Sequence, residues 1–119
     1  MPQPTTERRV FSRYDTDVTA LLTSKTMRIG VRMLSVSAGG ALVRMDRLSA
    51  KVFDAEEFIL EITGVGRFSA NRKWRRDTDI GMGFALSDAD RLRLADRLAE
   101  RFDPRRPQYQ RLAVNAPQP

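Results

Sequence analysis

Hydrophobic and polar residues alternate most clearly between positions 27 and 33, where Met27, Ile29, Val31 and Met33 are separated by Arg28, Gly30 and Arg32. Period-two alternation puts successive side chains on opposite faces, so this stretch predicts a half-buried antiparallel strand. Shorter versions recur along the chain. Val18, Ala20 and Leu22 predict a strand over 17–22, joined to the first by the turn Thr23-Ser24-Lys25-Thr26. Residues 41–45 predict a third strand, with 35–40 read as the corner before it and 46–56 as an irregular polar loop. Phe58, Leu60 and Ile62 mark a fourth, closed by Thr63-Gly64-Val65-Gly66. A fifth strand over 67–75 carries Phe68, Ala70 and Trp74 on one face, which reads as a core face. After Asp77-Thr78-Asp79, a sixth places Ile80, Met82, Phe84 and Leu86 on one side.

The period then changes. Leu92, Ala95, Leu98, Ala99 and Phe102 recur at helical spacing. Ser87 is placed to cap the helix N-terminus, Asp88 and Asp90 complement its dipole, and Asp103-Pro104 ends it. Leu94 falls on the flank of the stripe, which leaves room for a helix-mediated dimer. The expected fold is all-β: a six-stranded antiparallel barrel with a flexible N-terminal arm and one C-terminal α-helix. Residues 1–12 form the basic arm, 13–86 the barrel, 87–103 the helix, and 104–119 a proline-containing tail expected to be disordered.

At 119 residues and 41% hydrophobic content, the chain supports one domain with one modest core. Its longest apolar runs are three residues, too short for a membrane span or a secretory core. Cysteine and histidine are both absent. Disulfides, thiolate chemistry, the usual zinc sites and Ser/His/Asp triads are excluded accordingly, and a cytoplasmic location fits. No pair of carboxylates stands out as convergent, so an enzyme is disfavoured and no cofactor is expected. The net charge is +6, with 18 Arg against 3 Lys. Arg is the better bidentate partner for phosphate and for the O6/N7 edge of guanine. Genomic base composition can also produce such an excess, so placement is what matters.

Two short motifs have that placement. Arg8-Arg9 with Arg13 supplies guanidinium forks in the arm, and Ser35-Val36-Ser37-Ala38-Gly39-Gly40 supplies hydroxyls and a permissive backbone. Alone, the first is a solvated basic arm and the second a loop. Together and in this order they resemble PilZ domains, receptors for the bacterial second messenger cyclic di-GMP. Those domains carry an RxxxR arm, here Arg9-Val10-Phe11-Ser12-Arg13, and a (D/N)xSxxG motif, here Ser35 to Gly40. Trp74 followed by Gly81-Met82-Gly83-Phe84 is similar to a further pattern of the family. The resemblance spans about residues 8–86.

It implies a cyclic di-GMP site on Arg8, Arg9, Arg13, Ser35, Ser37, Gly39 and Gly40, with Arg72 and Trp74 as additional candidates. Arg9 and Arg13 would grip guanine edges and phosphates, and Ser37 would donate from the barrel. An Arg directly before RxxxR, here Arg8, implies an intercalated ligand dimer. Arm closure would alter a surface read by a downstream protein. Two departures stand out. Ser35 replaces the usual Asp or Asn, losing a bidentate acceptor worth about 1–3 kcal/mol. Arg72 stands where an aliphatic residue is usual, and either snorkels from the barrel end or reaches the ligand. Two other readings compete: a PilZ-like adaptor with weak or no ligand binding, which Ser35 favours, and a basic barrel binding single-stranded nucleic acid. The latter needs stacking platforms among the basic residues of the fifth strand, and Phe68 and Trp74 read as core.

Overall fold

A computed structural model describes residues 11–105. The arm residues Arg8 and Arg9 and the tail from residue 106 onwards lie outside the described residues, as do the expectations of flexibility and disorder attached to them. Six strands follow one another as β1 (Tyr14–Thr23), β2 (Arg28–Ser37), β3 (Gly40–Arg44), β4 (Glu57–Ile62), β5 (Gly66–Arg76) and β6 (Asp79–Phe84). They close antiparallel in the order β1-β2-β3-β6-β5-β4, with β4 returning to β1. Closure gives every strand two neighbours, which protects the edges that small β-proteins otherwise expose.

Alternation explains the interior. Ala20, Leu22, Val31, Met33, Val36, Val43, Leu60, Ile62, Ile80 and Met82 all point inward and are buried. Three register shifts interrupt the pairing: one on β1 between Asp15 and Val18 and two that shape the outer face. Met33 pairs with Val43 but Ser35 pairs with Leu42, so Leu34 is an extra residue on β2. Arg72 pairs with Met82 but Trp74 pairs with Gly81, so Lys73 is an extra residue on β5. Each bulge reverses which face the following residues occupy.

The second bulge corrects the reading of β5. Trp74 does not share the core face of Ala70; it is 48% exposed on the outside of the barrel. The first bulge corrects the corner at 35–40, because β2 continues through Ser35 and Ser37 and the turn is confined to Ala38-Gly39.

The ends of the barrel are covered by helices. The expected loop at 46–56 contains a short helix, α1 (Arg47–Val52), whose N-terminus is capped by Asp46 accepting from the Ser49 N–H at 2.8 Å. Phe53 follows it into the core and meets Phe58 with ring centroids 5.7 Å apart. Arg75 of β5 clamps the helix C-terminus, donating to the Phe53 carbonyl at 2.5 Å and to the Ala50 carbonyl. Those carbonyls have no intrahelical partner, so the guanidinium supplies what the helix end lacks.

The other end carries α2 (Asp88–Phe102), capped by Ser87 and ended at Asp103. Leu94, Leu98 and Ala99 are its buried residues. Leu94 is therefore packed on the barrel and not available on the flank; Leu92 is the exposed leucine, at 42%. Arg91 donates to the Phe84 and Leu86 carbonyls and Arg97 to that of Val65, tying α2 to β6 and to the β4–β5 turn. Phe102 lies 6.5 Å from the ring of Tyr14 at the start of β1.

Candidate functional site

Strand pairing brings the second motif together with residues far away in sequence. Ser35 pairs with Leu42, Leu42 with Gly81 and Gly81 with Trp74, one row across four strands. Ser37, Gly40, Gly83 and Asn71 form the adjacent row. Both rows lie on the outer face, and most of their side chains are small. The surface is hollow there, and the groove has a volume of about 380 Å³.

Two glycines are needed by close approach. A Cβ on Gly40 would run into the Met82 carbonyl and stand 3.1 Å from its carbon, so β3 and β6 could not pair as they do. At Gly81 the space is taken by Trp74, whose indole lies across the glycine. Lys73, the bulged residue, lays its stem over Gly83 in the same manner. The floor is thus backbone, one wall is an exposed indole, and an ammonium stands beside it.

On the opposite wall the Ser37 Oγ accepts from the Gly39 N–H at 3.1 Å, leaving its own O–H to donate elsewhere. This small turn is held in place because Gly39 offers its carbonyl to the Phe84 N–H at 2.9 Å. Ser35 is 7% exposed and lines the groove. Arg13 stands at the same groove, one residue before β1 begins. Among the described residues lining it, Arg13 and Lys73 are the charged ones; exposed Asp15, paired with Ser35, lies next to the lining and not in it. An anion carrying flat aromatic groups suits such a surface: cations for charge, hydroxyl and backbone for hydrogen bonds, and an indole for stacking.

Of the residues singled out from sequence, Arg13, Ser35, Ser37, Gly39, Gly40 and Trp74 meet at this groove. Arg72 does not. Its guanidinium pairs with Glu56 at 3.3 Å and Asp54 at 3.8 Å, away from the groove lining. The snorkelling alternative for Arg72 is the one the structure displays. Lys73 carried no motif signal, because only the bulge sets it beside Trp74. Leu42 and Met82 also line the groove without any polar signature in the sequence.

No protein-family model and no curated relative matches the sequence. Solved structures do match. The PilZ domain of CeSA from a cellulose-synthesizing bacterium superposes with a TM-score of 0.57 at 12% identity, covering 73% of this chain and 93% of that one. The PilZ domain of YcgR from Escherichia coli, solved with c-di-GMP, gives 0.56 at 13% identity over 87% of this chain and 98% of that one. This chain has the PilZ fold. A third PilZ-like match is PlzA of Borreliella burgdorferi in complex with c-di-GMP, at 0.54 and 16% identity, covering 78% of this chain but 42% of the larger protein. Among the described residues of this PilZ barrel, no helix is long and apolar enough to cross a membrane.

Proposed function

We propose that this PilZ domain is a cyclic di-GMP receptor. The observation that carries the reading is the groove itself, where Arg13, the Ser35 and Ser37 hydroxyls, the Gly39-Gly40 backbone and the Trp74 indole meet, with no carboxylate among the described lining residues. Two of the structures with the same fold were solved with that ligand.

Arg13 supplies a planar fork for a phosphate or for guanine O6/N7. Arg9 precedes Arg13 by four residues in the RxxxR motif, and by resemblance both hold one ligand. Arg8 adds a third cation and favours two ligands per chain in an intercalated pair. Trp74 offers a face on which guanine stacks. Ordering the arm costs about 1–2 kcal/mol per residue, and each charge-assisted hydrogen bond returns about 1.5–3 kcal/mol. The two nearly balance, so ligand occupancy controls arm position, and a downstream protein reads the result.

Ser35 supports a second reading, a PilZ-like adaptor acting through protein contacts with weak or no ligand binding. The hydroxyl is shorter than the carboxylate or carboxamide it replaces and sits deep in the groove wall. Calorimetric titration with cyclic di-GMP, wild type beside Arg9→Ala and Arg13→Ala, separates the two. The receptor reading expects heat, two ligands per chain, and affinity lost in both variants. Absence of heat at high micromolar ligand would establish the adaptor instead.

A further inference from the structure

A regular strand sends neighbouring side chains to opposite faces. At the β5 bulge two neighbours go the same way: Lys73 and Trp74 are both exposed, and both line the outer groove. An indole face and an ammonium side by side match a nucleotide, whose base and phosphate are joined through a single sugar. The bulge therefore adds to the groove a group that neither short motif contains.

The ammonium is uncommitted. Among the described residues Lys73 makes no ion pair. Basic residues close to it on β5 are engaged elsewhere, Arg72 with Glu56 and Asp54, and Arg75 with the Phe53 and Ala50 carbonyls. The Lys73 stem also has a seat. A Cβ on Gly83 would stand 2.7 Å from the Lys73 Cε and 3.7 Å from its Nζ, so the lysine occupies the space that a side chain at position 83 would fill. Gly83 in turn pairs with Gly40, and Gly40 with Ser37, which places the lysine in the row that ends at the Ser37 hydroxyl.

We infer that Lys73 is a phosphate-binding residue of this groove, and that the bare backbone of Gly83 seats it. The inference rests on the receptor reading and deepens it, by assigning the cation that serves a nucleotide stacked on Trp74. Arg13 lies at the β1 side of the groove and Lys73 at the β5 side, so the two described cations approach a bound ligand from opposite walls. A ligand with two phosphates suits that arrangement better than one with a single phosphate. Lysine suits phosphate in particular, because it is a compact charge on a flexible stem and has no planar fork for reading a base edge. A cation here also offsets part of what the groove loses where Ser35 stands in place of a longer acceptor.

Calorimetric titration of the whole chain with cyclic di-GMP, at low and at high salt, tests it. Lys73→Met keeps a stem over Gly83 and removes the charge. It should lower affinity about tenfold, the scale of one charge-assisted hydrogen bond. Its salt dependence should be shallower than that of wild type, and tryptophan emission of the free protein should not change. Lys73→Arg should recover most of the loss. Gly83→Ala puts a methyl where the flexible stem lies, so it should lower affinity in the wild-type background and add nothing beside Lys73→Met, since both changes act through one group. If wild type binds and Lys73→Met binds as tightly, the inference is overturned and the receptor reading stands. A loss that Lys73→Arg fails to recover also overturns it, as does one accompanied by shifted emission, which would make Lys73 a support for Trp74. A Gly83→Ala effect that persists in full beside Lys73→Met overturns the seat. No heat from wild type overturns the receptor reading itself, and the inference falls with it.

Discussion

The indole of Trp74 lies across Gly81, its Cζ2 atom 2.8 Å from the point where a Cβ on residue 81 would stand. The glycine sets the position of the tryptophan as firmly as the bulge at Lys73 does. Gly81→Ala should therefore push the indole off the groove floor. The expected result is a shift in tryptophan emission, read cleanly because Trp74 is the only tryptophan. On the receptor reading, a loss of about tenfold in cyclic di-GMP affinity should accompany it, equivalent to about 1.4 kcal/mol.

Gly40→Ala places its new methyl against the Met82 backbone, where no side chain can rotate aside. Overpacking of this kind costs about 1–3 kcal/mol. Thermal unfolding should show a lower Tm for this variant, and hydrogen exchange should speed up at Ala41 and Met82, which pair across β3 and β6.

Ser35→Asp restores the acceptor that the PilZ motif usually has at this position. On the receptor reading, calorimetry should show cyclic di-GMP binding roughly tenfold to a hundredfold tighter, for about 1–3 kcal/mol of added discrimination. An affinity equal to wild type would mean that Ser35 already reaches the ligand by another route.

Acid should weaken the barrel through Asp79. The Arg44 guanidinium, bonded at 2.7 Å, holds the Asp79 carboxyl below the usual carboxylate range, against partial burial that works the other way. A carboxyl lowered on folding adds stability that is fully present above its unfolded value, about 3.9, and is lost as pH falls through the lowered folded value. The pair is partly exposed, so the effect is at most about 1 kcal/mol. Urea unfolding should show Asp79→Asn less stable than wild type at neutral pH, with the difference closing below about pH 4.

Arg75→Met keeps most of the stem but removes the donors to the Ala50 and Phe53 carbonyls. Hydrogen bonds from a charged group are each worth about 1.5–3 kcal/mol. The last turn of α1 should fray, seen as faster amide exchange at Ser49 to Phe53, while the amides of β2 and β6 keep their protection.

The barrel was legible because its inward residues alternate over runs long enough to count, as from Met27 to Met33. What parity could not reveal were the bulges, since one inserted residue exchanges the faces of everything after it and leaves no mark in composition. Alternation puts Trp74 on the core face for that reason, and Lys73 counts only among the basic residues Arg67, Arg72, Lys73, Arg75 and Arg76 that suggest nucleic-acid binding. The Ser35 to Gly40 segment reads as a loop by residue type, yet its serines stand on a strand whose pairing with β3 brings them to the glycines of β6. Helix α1 has no helical signature in the sequence because six residues span fewer than two turns, and its apolar pair faces outward. Leu94 and Leu92 exchanged roles by a modest rotation of α2, the kind of error that spacing alone cannot correct when the barrel surface beneath it is curved.

The contact between Tyr14 and Phe102 gives the domain a single doorway. The polypeptide comes into the barrel beside the place where it goes out, and Arg13 at that threshold already lines the outer groove. A module joined directly at residues 13 and 103, whether a fluorescent reporter or a catalytic domain, would stand over the same opening. For engineering, that makes the described barrel a natural insertion cassette: cut at those two residues and grafted into a host loop, it would set its groove directly at the junction.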